Sequence, residues 1–311
     1  MKNKKIAVVM GGPSAEREVS LNTGNAILQA LQEKGYQAIG IDLDPQNIIS
    51  QLQQEKIDIV FNAIHGKFGE DGALQGALDM LGIPYTGSGV LASAITMDKS
   101  VSKRIFESAH LPIADSKIYD QYNSTIADIC EDIKQKFSFP LVVKAAEQGS
   151  SIGVYILGNV TELTAAVTSA FGYCRHIIVE AFIDGSELTV AVMGNKTAQA
   201  LPIIEIVPHS GRYDYHSKYT KGATEYIVPA RIDEAVTKHF QQLAEEAYRL
   251  MGCKGIARVD FMMDKQYQPY ILEINTIPGM TATSLVPKAA AAAGLTFGDL
   301  CEKLLFMAVE E

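Results

Sequence analysis

The chain has 311 residues, a length that predicts about two domains and a sizeable buried core. Apolar residues make up 47% and charged residues 20% of the sequence, a composition typical of soluble globular proteins that excludes a disordered or coiled-coil chain. The net charge of -9, from 36 acidic and 27 basic residues, is opposite in sign to that of a general nucleic-acid surface. We therefore expect no nucleic-acid partner, and we expect local cations to hold any phosphate ligand.

The apolar stretches predict neither an export signal nor a membrane span, so we expect no membrane partner. The first apolar run ends at Gly11-Gly12-Pro13, and the uncharged stretch 80–97 is interrupted by glycines and a proline. Four cysteines lack CxxC spacing and a neighbouring histidine pattern, which favours reduced packing residues and a cytoplasmic location. They are Cys130, Cys174, Cys253 and Cys301.

The N-terminal part of the chain predicts a parallel sheet. Short β-rich runs at 6–10, 38–41 and 57–61 alternate with helical patterns, which is typical of βαβ units. The turn 11–14 leads from the first strand into a helix, where free backbone N–H groups favour an anion. An ordinary strand-to-helix loop explains the turn equally well.

Beyond Asp98 the pattern changes to a mixture of strands and helices. Asp98 is expected to cap a helix over 99–109, with Pro112 marking its end. The aperiodic stretch 209–224 is long for a connection, which is typical of a lid or of a disordered segment. The remaining predicted elements are strands at 141–145, 152–156 and 177–182, strand-like runs over 188–207, helices at 162–171 and 233–251, a hairpin at 256–275 and two C-terminal helices.

The predicted hairpin contains a candidate metal site. A turn centred on Gln266 and Tyr267 puts Asp260 opposite Glu273, while Asn275 shares a face with Glu273 because it lies two residues further along. Opposed carboxylates repel each other unless a cation lies between them. Two carboxylates with an amide suit Mg²⁺ completed by phosphate oxygens. The alternative is a solvated strand face with unpaired acids.

Two features upstream of the hairpin could hold phosphates. Lys144 closes an apolar strand and can reach a ligand phosphate, although a lone lysine is also typical of a surface. The loop 149–153 is rich in glycine and serine, so it could fold over phosphates or form only a hairpin turn. Together with the paired carboxylates, these features predict a site for a nucleotide and Mg²⁺.

Six motifs, in this order, resemble those of the D-alanine–D-alanine ligase family of the ATP-grasp superfamily. They are GGPSAEREVSLNTG at 11–24, HGKFGEDGALQG at 65–76, PYTGSGVLASAITMDK at 84–99, VVKAAEQGSSIGV at 142–154, YDYHSKY at 213–219 and LEINTIPGMTATSLVP at 272–287. The resemblance covers essentially the whole chain and implies an α/β and α+β fold. A Rossmann-like N-terminal domain over 1–97 is then followed by an ATP-grasp fold of two α+β domains, over 98–184 and 185–311.

The resemblance also implies the residues that bind the nucleotide and the metal ions. At the ATP phosphates they are Lys99, Lys144, Ser150 and Ser151; at adenine they are Glu180, Ala181 and Ile183; at the ribose it is Glu187. Two Mg²⁺ ions, for which Mn²⁺ could substitute, are implied to bind Asp260, Glu273 and Asn275. The last assignment coincides with the site that the hairpin predicts from its own residues.

The remaining implied residues contact two D-alanine molecules. Glu16 binds the ammonium group of the first, His65 lies near its carboxylate, Arg258 and the backbone of Gly279 stabilise the oxyanion, and Ser284, the Leu285 amide and Lys218 bind the second carboxylate. Tyr219, in the lid, is implied to link to Ser150 and Glu16. Arg212, His216 and Phe182 depart from the residues common at these positions in the family.

The implied activity is ATP-dependent ligation of two D-alanine molecules through an acyl phosphate, for peptidoglycan precursor synthesis. A homodimer is expected from the resemblance alone. One alternative is a related ligase that accepts D-lactate or another second substrate, for which the residue at Tyr219 is the discriminator. Another is a two-lobed binding protein without catalysis, which would not need the acidic residues of the hairpin.

Overall fold

Three separate β-sheets organise the chain. The structure is a computed structural model and describes residues 1–149, 152–209, 220 and 222–310. The sheets follow one another along the sequence, in the order expected for domains over 1–97, 98–184 and 185–311. The exact domain boundaries stay a prediction. Within the described residues, no helix is both long enough and apolar enough to cross a bilayer.

The first sheet is parallel, as its sequence pattern predicts. Its order is β2-β1-β3, and the central strand is almost completely buried because it has a neighbour on both sides. The main chain at Val60 also pairs with Tyr85, which extends the sheet by a single bridge. The elements are β1 (Lys5–Met10), α1 (Arg17–Glu33), β2 (Gln37–Asp42), α2 (Ile48–Gln54), β3 (Ile59–Asn62), α3 (Ala73–Leu81) and α4 (Val90–Met97).

A second, antiparallel sheet of four strands has the order β4-β7-β5-β6. The strand predicted at 152–156 begins two residues later, at Val154. The reason is a turn before it, in which the Ile152 amide donates to the Gly149 carbonyl and Gly153 adopts a φ of 70°. The elements are α5 (Lys99–Ser108), β4 (Ser116–Asp120), α6 (Ile126–Lys136), β5 (Leu141–Ala145), β6 (Val154–Leu157), a 3₁₀ turn (Val160–Glu162), α7 (Leu163–Phe171) and β7 (His176–Ala181).

A third sheet, of six antiparallel strands, follows the path β11-β10-β8-β12-β13, with β9 also paired to β8. The strand-like run 188–207 is not continuous: it turns at Gly194, where a Cβ atom would lie only 2.1 Å from the Thr197 carbonyl oxygen. The elements are β8 (Gly185–Met193), β9 (Gln199–Ala200), β10 (Ile204–Pro208), β11 (Thr224–Ile227), α8 (Glu234–Leu250), β12 (Ile256–Asp264), β13 (Pro269–Asn275), α9 (Leu285–Ala292) and α10 (Phe297–Met307).

Strand β11 was missed in the sequence. The loop predicted at 209–224 includes Thr224, whereas in the structure Thr224 is the first residue of this strand. Residues 224–227 pair with β10 in register, so backbone hydrogen bonding to a neighbouring strand gives the short segment its conformation. Most of the predicted lid, residues 210–219 and 221, lies outside the described residues.

Helix α5 begins where its capping residue predicts. The Asp98 side chain accepts hydrogen bonds from the backbone N–H groups of Ser100 and Val101. Further along the helix, Phe106 is fully buried in the core built on β8 and β12. The Lys99 amide donates to the Ala146 carbonyl at 3.0 Å, just beyond β5. Helix α5 therefore holds a fixed position between the second and third sheets.

The first and third sheets share one hydrophobic core. Ile6 and Val8 of β1 pack in the same buried cluster as Met193, Ile256 and Leu304. The ion pairs of the lysine that follows α1 at its C-terminal end add a polar link to α10. They join Lys34 Nζ to Asp299 Oδ1 at 2.7 Å and to Glu302 Oε2 at 2.8 Å. The C-terminal helix thus packs on both the first and the third sheet.

Candidate active site

The hairpin of β12 and β13 brings the predicted acidic residues together. Asp260 pairs directly with Glu273, and Arg258 pairs with Asn275, as the sequence predicts. The register shifts immediately after Asp260, so that Phe261 pairs with Ile271. This β-bulge leaves Asp260, Glu273 and Asn275 at the end of the hairpin where the chain leaves β13.

Asp260 is buried and carries several hydrogen bonds. Arg258 donates to it through two nitrogens, Nε to Oδ1 at 2.8 Å and Nη2 to Oδ2 at 2.7 Å. Thr189, directly opposite on β8, donates to Oδ1 at 2.5 Å, and Asn275 Nδ2 donates to Oδ2 at 2.9 Å. These contacts hold the carboxylate in one orientation and balance its charge.

Glu273 has a cation of its own. Lys99 Nζ lies 2.9 Å from Glu273 Oε2, and the same ammonium group donates to the Gln148 carbonyl at 2.7 Å. Burial lowers the pKa of Lys99, but the contact with Glu273 and the nearby carboxylates of Glu70 and Glu16 together outweigh it, so the pKa is raised. Lys99 is therefore a cation, at the junction of the hairpin, α5 and the loop that precedes residue 150.

The donor set of the hairpin fits a hard divalent cation. Two carboxylates and one amide oxygen are the ligand types that Mg²⁺ accepts, and ligand phosphates can complete its coordination. The charge of Asp260 is balanced by Arg258, and that of Glu273 is balanced by Lys99. Among the described residues no group of three His, Cys, Asp or Glu side chains is arranged to hold a metal, so an ion here depends on Asn275 and on the substrate.

A second charged group lies on the sheet of β4 to β7. Lys144 on β5 and Glu180 on β7 are diagonal neighbours, with Nζ 2.7 Å from Oε2. Burial alone would raise the pKa of Glu180, but the ammonium groups of Lys144 and Lys103 outweigh it and lower the pKa to about 2. Glu180 is thus a buried carboxylate that stays ionised.

The other residues implied for the nucleotide lie where β7 passes into β8. Ala181 ends β7, and its amide donates to the Asp115 carbonyl at 2.9 Å. Ile183 follows in the connection, and Glu187 is a half-buried residue of β8, opposite Met262. Phe182 stands in the same connection and is half-buried. The structure therefore brings the implied adenine and ribose residues to one strand junction.

A cavity of 330 Å³ lies beside the hairpin and collects most of the residues implied for the amino acids. It is lined by both signs of charge, with Arg258 facing Glu16, Glu70 and Glu273. A zwitterionic ligand needs such a mixture, because its ammonium and carboxylate groups require opposite partners. The predicted residues that line it are Glu16, His65, Arg258, Glu273, Asn275, Gly279, Ser284 and Leu285.

Two glycines let the backbone approach Glu16, which precedes α1. A Cβ atom on Gly149 would lie 3.0 Å from Glu16 Oε2, and one on Gly66 would lie 3.1 Å from it. Gly66 also adopts a φ of 74°, which other residues rarely do. The loop that leads into residue 150 therefore passes close to the Glu16 carboxylate, beside a second cavity of 700 Å³ that both residues line.

His65 is a buried, neutral imidazole. Its Nε2 lies 3.1 Å from Thr23 Oγ1 in α1. Burial, assisted by the nearby Arg258 guanidinium, lowers the pKa of His65 to about 4. A neutral ring can offer a hydrogen bond near a ligand carboxylate, but it supplies no charge at neutral pH.

We expect the free energy of unfolding to fall as His65 is forced to protonate. The pKa of His65 is about 4 in the folded protein, against an ordinary value of 6.5 for an exposed imidazole. The stabilisation that depends on the neutral ring is therefore complete above pH 6.5 and is lost as the pH falls towards 4. Urea titrations should show a difference in slope of up to about 1.4 kcal/mol per pH unit between wild type and His65→Gln in this window. Ser20→Ala, which removes a neighbouring buried hydrogen bond to the Ala63 carbonyl, serves as the control and should keep the wild-type slope. Parallel curves for wild type and His65→Gln would contradict the assignment.

The residues after β13 form the far wall of the cavity. Ser284 caps α9, and its Oγ accepts a hydrogen bond from the Thr281 amide at 3.0 Å. Leu285 is the first residue of this helix, so its backbone N–H points out of the helix N-terminus, where an anion is favoured. A Cβ atom on Gly279 would lie 3.0 Å from Ser284 Oγ, which explains the close turn.

Some predicted site residues lie outside the described residues. They are Ser150 and Ser151 in the loop after Gly149, and Lys218 and Tyr219 in the predicted lid, together with Arg212 and His216. Their roles stay predictions.

Two charged residues of the site were missed in the sequence. Loss of solvent around the Glu70 carboxyl, with the Glu16 carboxylate nearby, raises the pKa of Glu70 to about 8. Glu70 lies within the motif at 65–76, so its position in the sequence could have identified it as a candidate site residue. The other missed residue, Lys103, lies 2.8 Å from Glu180 and four residues after Lys99, a spacing that puts both lysines on one face of α5.

Comparison with known families gives two matches to this chain. The family model described as "D-ala D-ala ligase C-terminus" matches residues 105–306, and the one described as "D-ala D-ala ligase N-terminus" matches residues 45–88. The chain is similar to a D-alanine–D-alanine ligase of Pelotomaculum thermopropionicum, with 47% identity over 98% of this chain and 97% of the relative.

Solved structures show the same relation. A D-alanine–D-alanine ligase from Bacillus anthracis, complexed with ATP, superimposes with a TM-score of 0.84 at 32% identity, covering 98% of this chain and 97% of the other. A D-Ala:D-Ser ligase from Enterococcus faecalis, VanG, has a TM-score of 0.84 at 31% identity and covers 99% of this chain and 100% of its own. Both similarities extend over all three sheets.

Proposed function

The chain belongs to the D-alanine–D-alanine ligase family, has the ATP-grasp fold and catalyses ATP-dependent joining of two D-alanine molecules for peptidoglycan synthesis; from this premise we propose which of its residues carry out the reaction. The observation that carries the proposal is the cavity beside the opposed Asp260 and Glu273, which has charges of both signs on its walls. Family membership also decides between an enzyme and the alternative of a binding protein without catalysis.

The direct test is phosphate release from ATP with D-alanine as the only amino acid. We expect inorganic phosphate and D-alanyl-D-alanine in equal amounts, identified by mass spectrometry. ATP without D-alanine is the control and should release little phosphate, because the carboxylate that accepts the γ-phosphate is missing. Phosphate without dipeptide would contradict the proposal.

ATP binds, in this proposal, between the second and third sheets. Lys99 and Lys144 bind the phosphates, with Ser150 and Ser151 in the loop that covers them. Glu180, Ala181 and Ile183 contact adenine, and Glu187 contacts the ribose. The support is that Lys144 and Glu180 are in contact, whereas Lys99 joins the hairpin to the loop before residue 150.

Asp260, Glu273 and Asn275 hold two Mg²⁺ ions in this proposal, and Mn²⁺ can substitute because it accepts the same oxygen ligands. When bound, the ions neutralise the charge on the transferred phosphate. Arg258 orients Asp260 through its two hydrogen bonds. Thr189 fixes the same carboxylate from β8.

The first D-alanine supplies the carboxylate that attacks the γ-phosphate of ATP; the bond to the β,γ-bridging oxygen breaks, ADP is the leaving group, and an acyl phosphate forms. Glu16 binds its ammonium group, and His65 lies near its carboxylate. The amine of the second D-alanine then attacks the acyl carbon, while Arg258 and the backbone N–H of Gly279 stabilise the tetrahedral oxyanion before phosphate leaves. Ser284, the Leu285 amide and Lys218 hold the second carboxylate; the helix N-terminus at Leu285 supports that role.

An acyl phosphate hydrolyses in water, so the reaction needs a closed site. We assign the lid to the segment 209–223, which ends where β11 begins, and propose that its Tyr219 contacts Ser150 and, through it, Glu16. The close approach of Gly149 to Glu16 supports a link between the serine loop and the first subsite. The lid then excludes water only when both D-alanine molecules are bound.

Tyr219→Phe is expected to change the choice of the second substrate. Loss of the phenol oxygen leaves Ser150 short of one partner, at a cost of about 1–3 kcal/mol, and alters the charge around the second subsite. Wild type should form almost only D-alanyl-D-alanine from an equimolar mixture of D-alanine, D-serine and D-lactate. The variant should form measurable D-alanyl-D-lactate between about pH 6 and 7, where the competing amine is mostly protonated. Tyr155→Phe, which removes a phenol–serine hydrogen bond to Ser169 outside the cavity, is the control. An unchanged product ratio in Tyr219→Phe would end the triad assignment.

A homodimer and a cytoplasmic location complete the proposal. The location follows from the need for ATP, and the four free cysteines are consistent with a reducing compartment. Sedimentation equilibrium of the purified chain tests the dimer.

A further inference from the structure

A buried group of three charges lies behind the proposed adenine site. Glu180 Oε1 is 2.8 Å from Lys103 Nζ, and Glu180 Oε2 is 2.7 Å from Lys144 Nζ. The side chains of Lys103 and Glu180 are 4% and 3% exposed, and that of Lys144 is 13% exposed. One carboxylate thus has two ammonium partners, of which Lys103 is the more deeply buried.

The two lysines reach Glu180 from different elements. Lys144 lies on β5, beside β7, and is the residue proposed above to bind the ATP phosphates. Lys103 lies on α5, one turn after Lys99, so the same helix holds a lysine at Glu273 and another at Glu180. Helix α5 therefore sets the distance between the hairpin and the adenine site.

The contact between Lys103 and Glu180 is an ion pair without good hydrogen-bond geometry. Among the described residues, neither Lys103 Nζ nor Glu180 Oε1 has a hydrogen-bond partner, although the two atoms are 2.8 Å apart. Glu180 Oε1 therefore keeps lone-pair capacity for another donor while its charge is balanced.

We propose that Lys103 is a positioning residue for nucleotide selection, which holds Glu180 as an ionised acceptor for the 6-amino group of adenine while Lys144 contacts the ATP phosphates. This inference rests on the proposed nucleotide site. When Lys144 binds a phosphate of ATP, its ammonium group balances the charge of Glu180 less fully. A second cation is therefore needed at Glu180 when ATP is bound. Lys103 is that cation, and its burial keeps it away from the phosphates.

The chemistry of the purine decides what this charge does. An ionised carboxylate only accepts hydrogen bonds, so it favours the amino group of ATP over the keto oxygen of ITP. Without Lys103, binding of the phosphates by Lys144 would leave Glu180 as an isolated buried charge, which takes up a proton instead. A protonated carboxyl can donate to the keto oxygen, and discrimination between the two nucleotides falls.

The test compares ATP with ITP in wild type, Lys103→Met and Lys103→Arg. We expect Lys103→Met to raise the KM for ATP by about tenfold, to lower the ATP-to-ITP ratio of kcat/KM by about tenfold, and to change kcat by less than about threefold. Lys103→Arg keeps the charge and should retain most of the wild-type ratio. Lys117→Met removes a lysine paired with Asp132 outside the cleft and serves as the matched control.

A structural role for Lys103 would give a different result. Loss of stability lowers the amount of folded enzyme and affects both nucleotides equally, so an unchanged ratio in a folded variant overturns the inference. If Lys103→Met does not fold, Lys103→Gln keeps a polar group of similar length and gives the same comparison. In a Glu180→Gln background, removal of Lys103 should alter the ratio no further, and a full additional effect would also overturn the inference.

Failure of the proposed nucleotide site has its own signature. Wild type that uses ATP and ITP equally would show that Glu180 does not read the purine, before any variant is made. If wild type prefers ATP and a folded Lys103→Met variant keeps this preference, the proposed nucleotide site is retained. Only the role of Lys103 in nucleotide selection is then overturned. Calorimetric titration of ATP and ITP, without D-alanine, should give the same ratio of affinities as the kinetics.

Discussion

Glu273→Gln is expected to lower kcat by more than about 10²-fold without loss of the fold. The change removes one negative charge from the opposed pair on the hairpin and weakens the proposed metal site. Lys99 loses its carboxylate partner but keeps its hydrogen bond to the Gln148 carbonyl, so the loop before residue 150 stays attached. Steady-state rates over a range of Mg²⁺ concentrations give the measurement.

The metal role of Glu273 has a readout that does not depend on turnover. Electron paramagnetic resonance of Mn²⁺ should show weaker binding to Glu273→Gln than to wild type in the presence of ATP. Glu246→Gln makes the same chemical change on the exposed face of α8 and should behave as wild type. Full activity of Glu273→Gln at low Mg²⁺ would exclude Glu273 as a ligand. A smaller loss is expected for Asn275→Ala, because a neutral oxygen contributes less than a carboxylate.

Arg258→Lys is expected to reduce kcat by about 10²–10³-fold while the KM for ATP changes little. Lysine keeps the charge but lacks the planar fork that donates to both oxygens of Asp260, and it presents one donor where the oxyanion forms. The loss therefore falls on the transition state of amine attack rather than on ATP binding. Single-turnover assays that separate acyl-phosphate formation from dipeptide formation give the measurement.

The chain offers a matched control for this substitution. Arg231 forms the same kind of fork with Glu205, through Nε at 2.9 Å and Nη2 at 2.7 Å, outside the residues that line the cavity. Arg231→Lys should lower stability slightly and leave kcat as in wild type. Equal losses in the two variants would mean that Arg258 is important only for the structure of the sheet.

The paired charges of the site fit a reaction between two zwitterions and a nucleotide. Asp260 and Glu273 each have a cation within 3 Å, and the cavity has further carboxylates at Glu16 and Glu70. Ligand ammonium groups and phosphates can exchange with these internal partners, so no bare charge is exposed at any step. The site is therefore balanced before the substrates arrive.

Local sequence was sufficient for the elements whose signals lie within a few neighbouring residues. The capping position of Asp98 and the alternation around β1 predict their elements because backbone hydrogen bonding and side-chain direction depend on adjacent positions. The pairing of Asp260 with Glu273 was also predicted, from the reflection of a hairpin about its turn. The motifs then identified the family, because their order is more specific than any one of them.

The same reflection fails beyond the bulge. Phe261 pairs with Ile271, one residue away from the partner that a turn centred on Gln266 and Tyr267 predicts. The extra residue, Leu272, lies on β13 at the edge of the sheet, while β12 keeps an unbroken register with β8, and nothing in the hairpin sequence indicates the bulge. Strand β11 was missed for a related reason, since its partner β10 precedes it across the segment 209–223.

Only the tertiary structure decided which distant charges meet. Lys103 reaches Glu180 because α5 packs between two sheets, and the Glu70 carboxyl is desolvated because α1, β13 and the segment after β3 enclose one cavity. Lys34 likewise joins α10 to α1 across most of the sequence. Periodicity and caps report on the local backbone, whereas burial and charge pairing depend on packing between elements far apart in the chain. The sequence therefore determined the elements, the hairpin pair and the family, and the packing decided which charges are balanced, and by which partner.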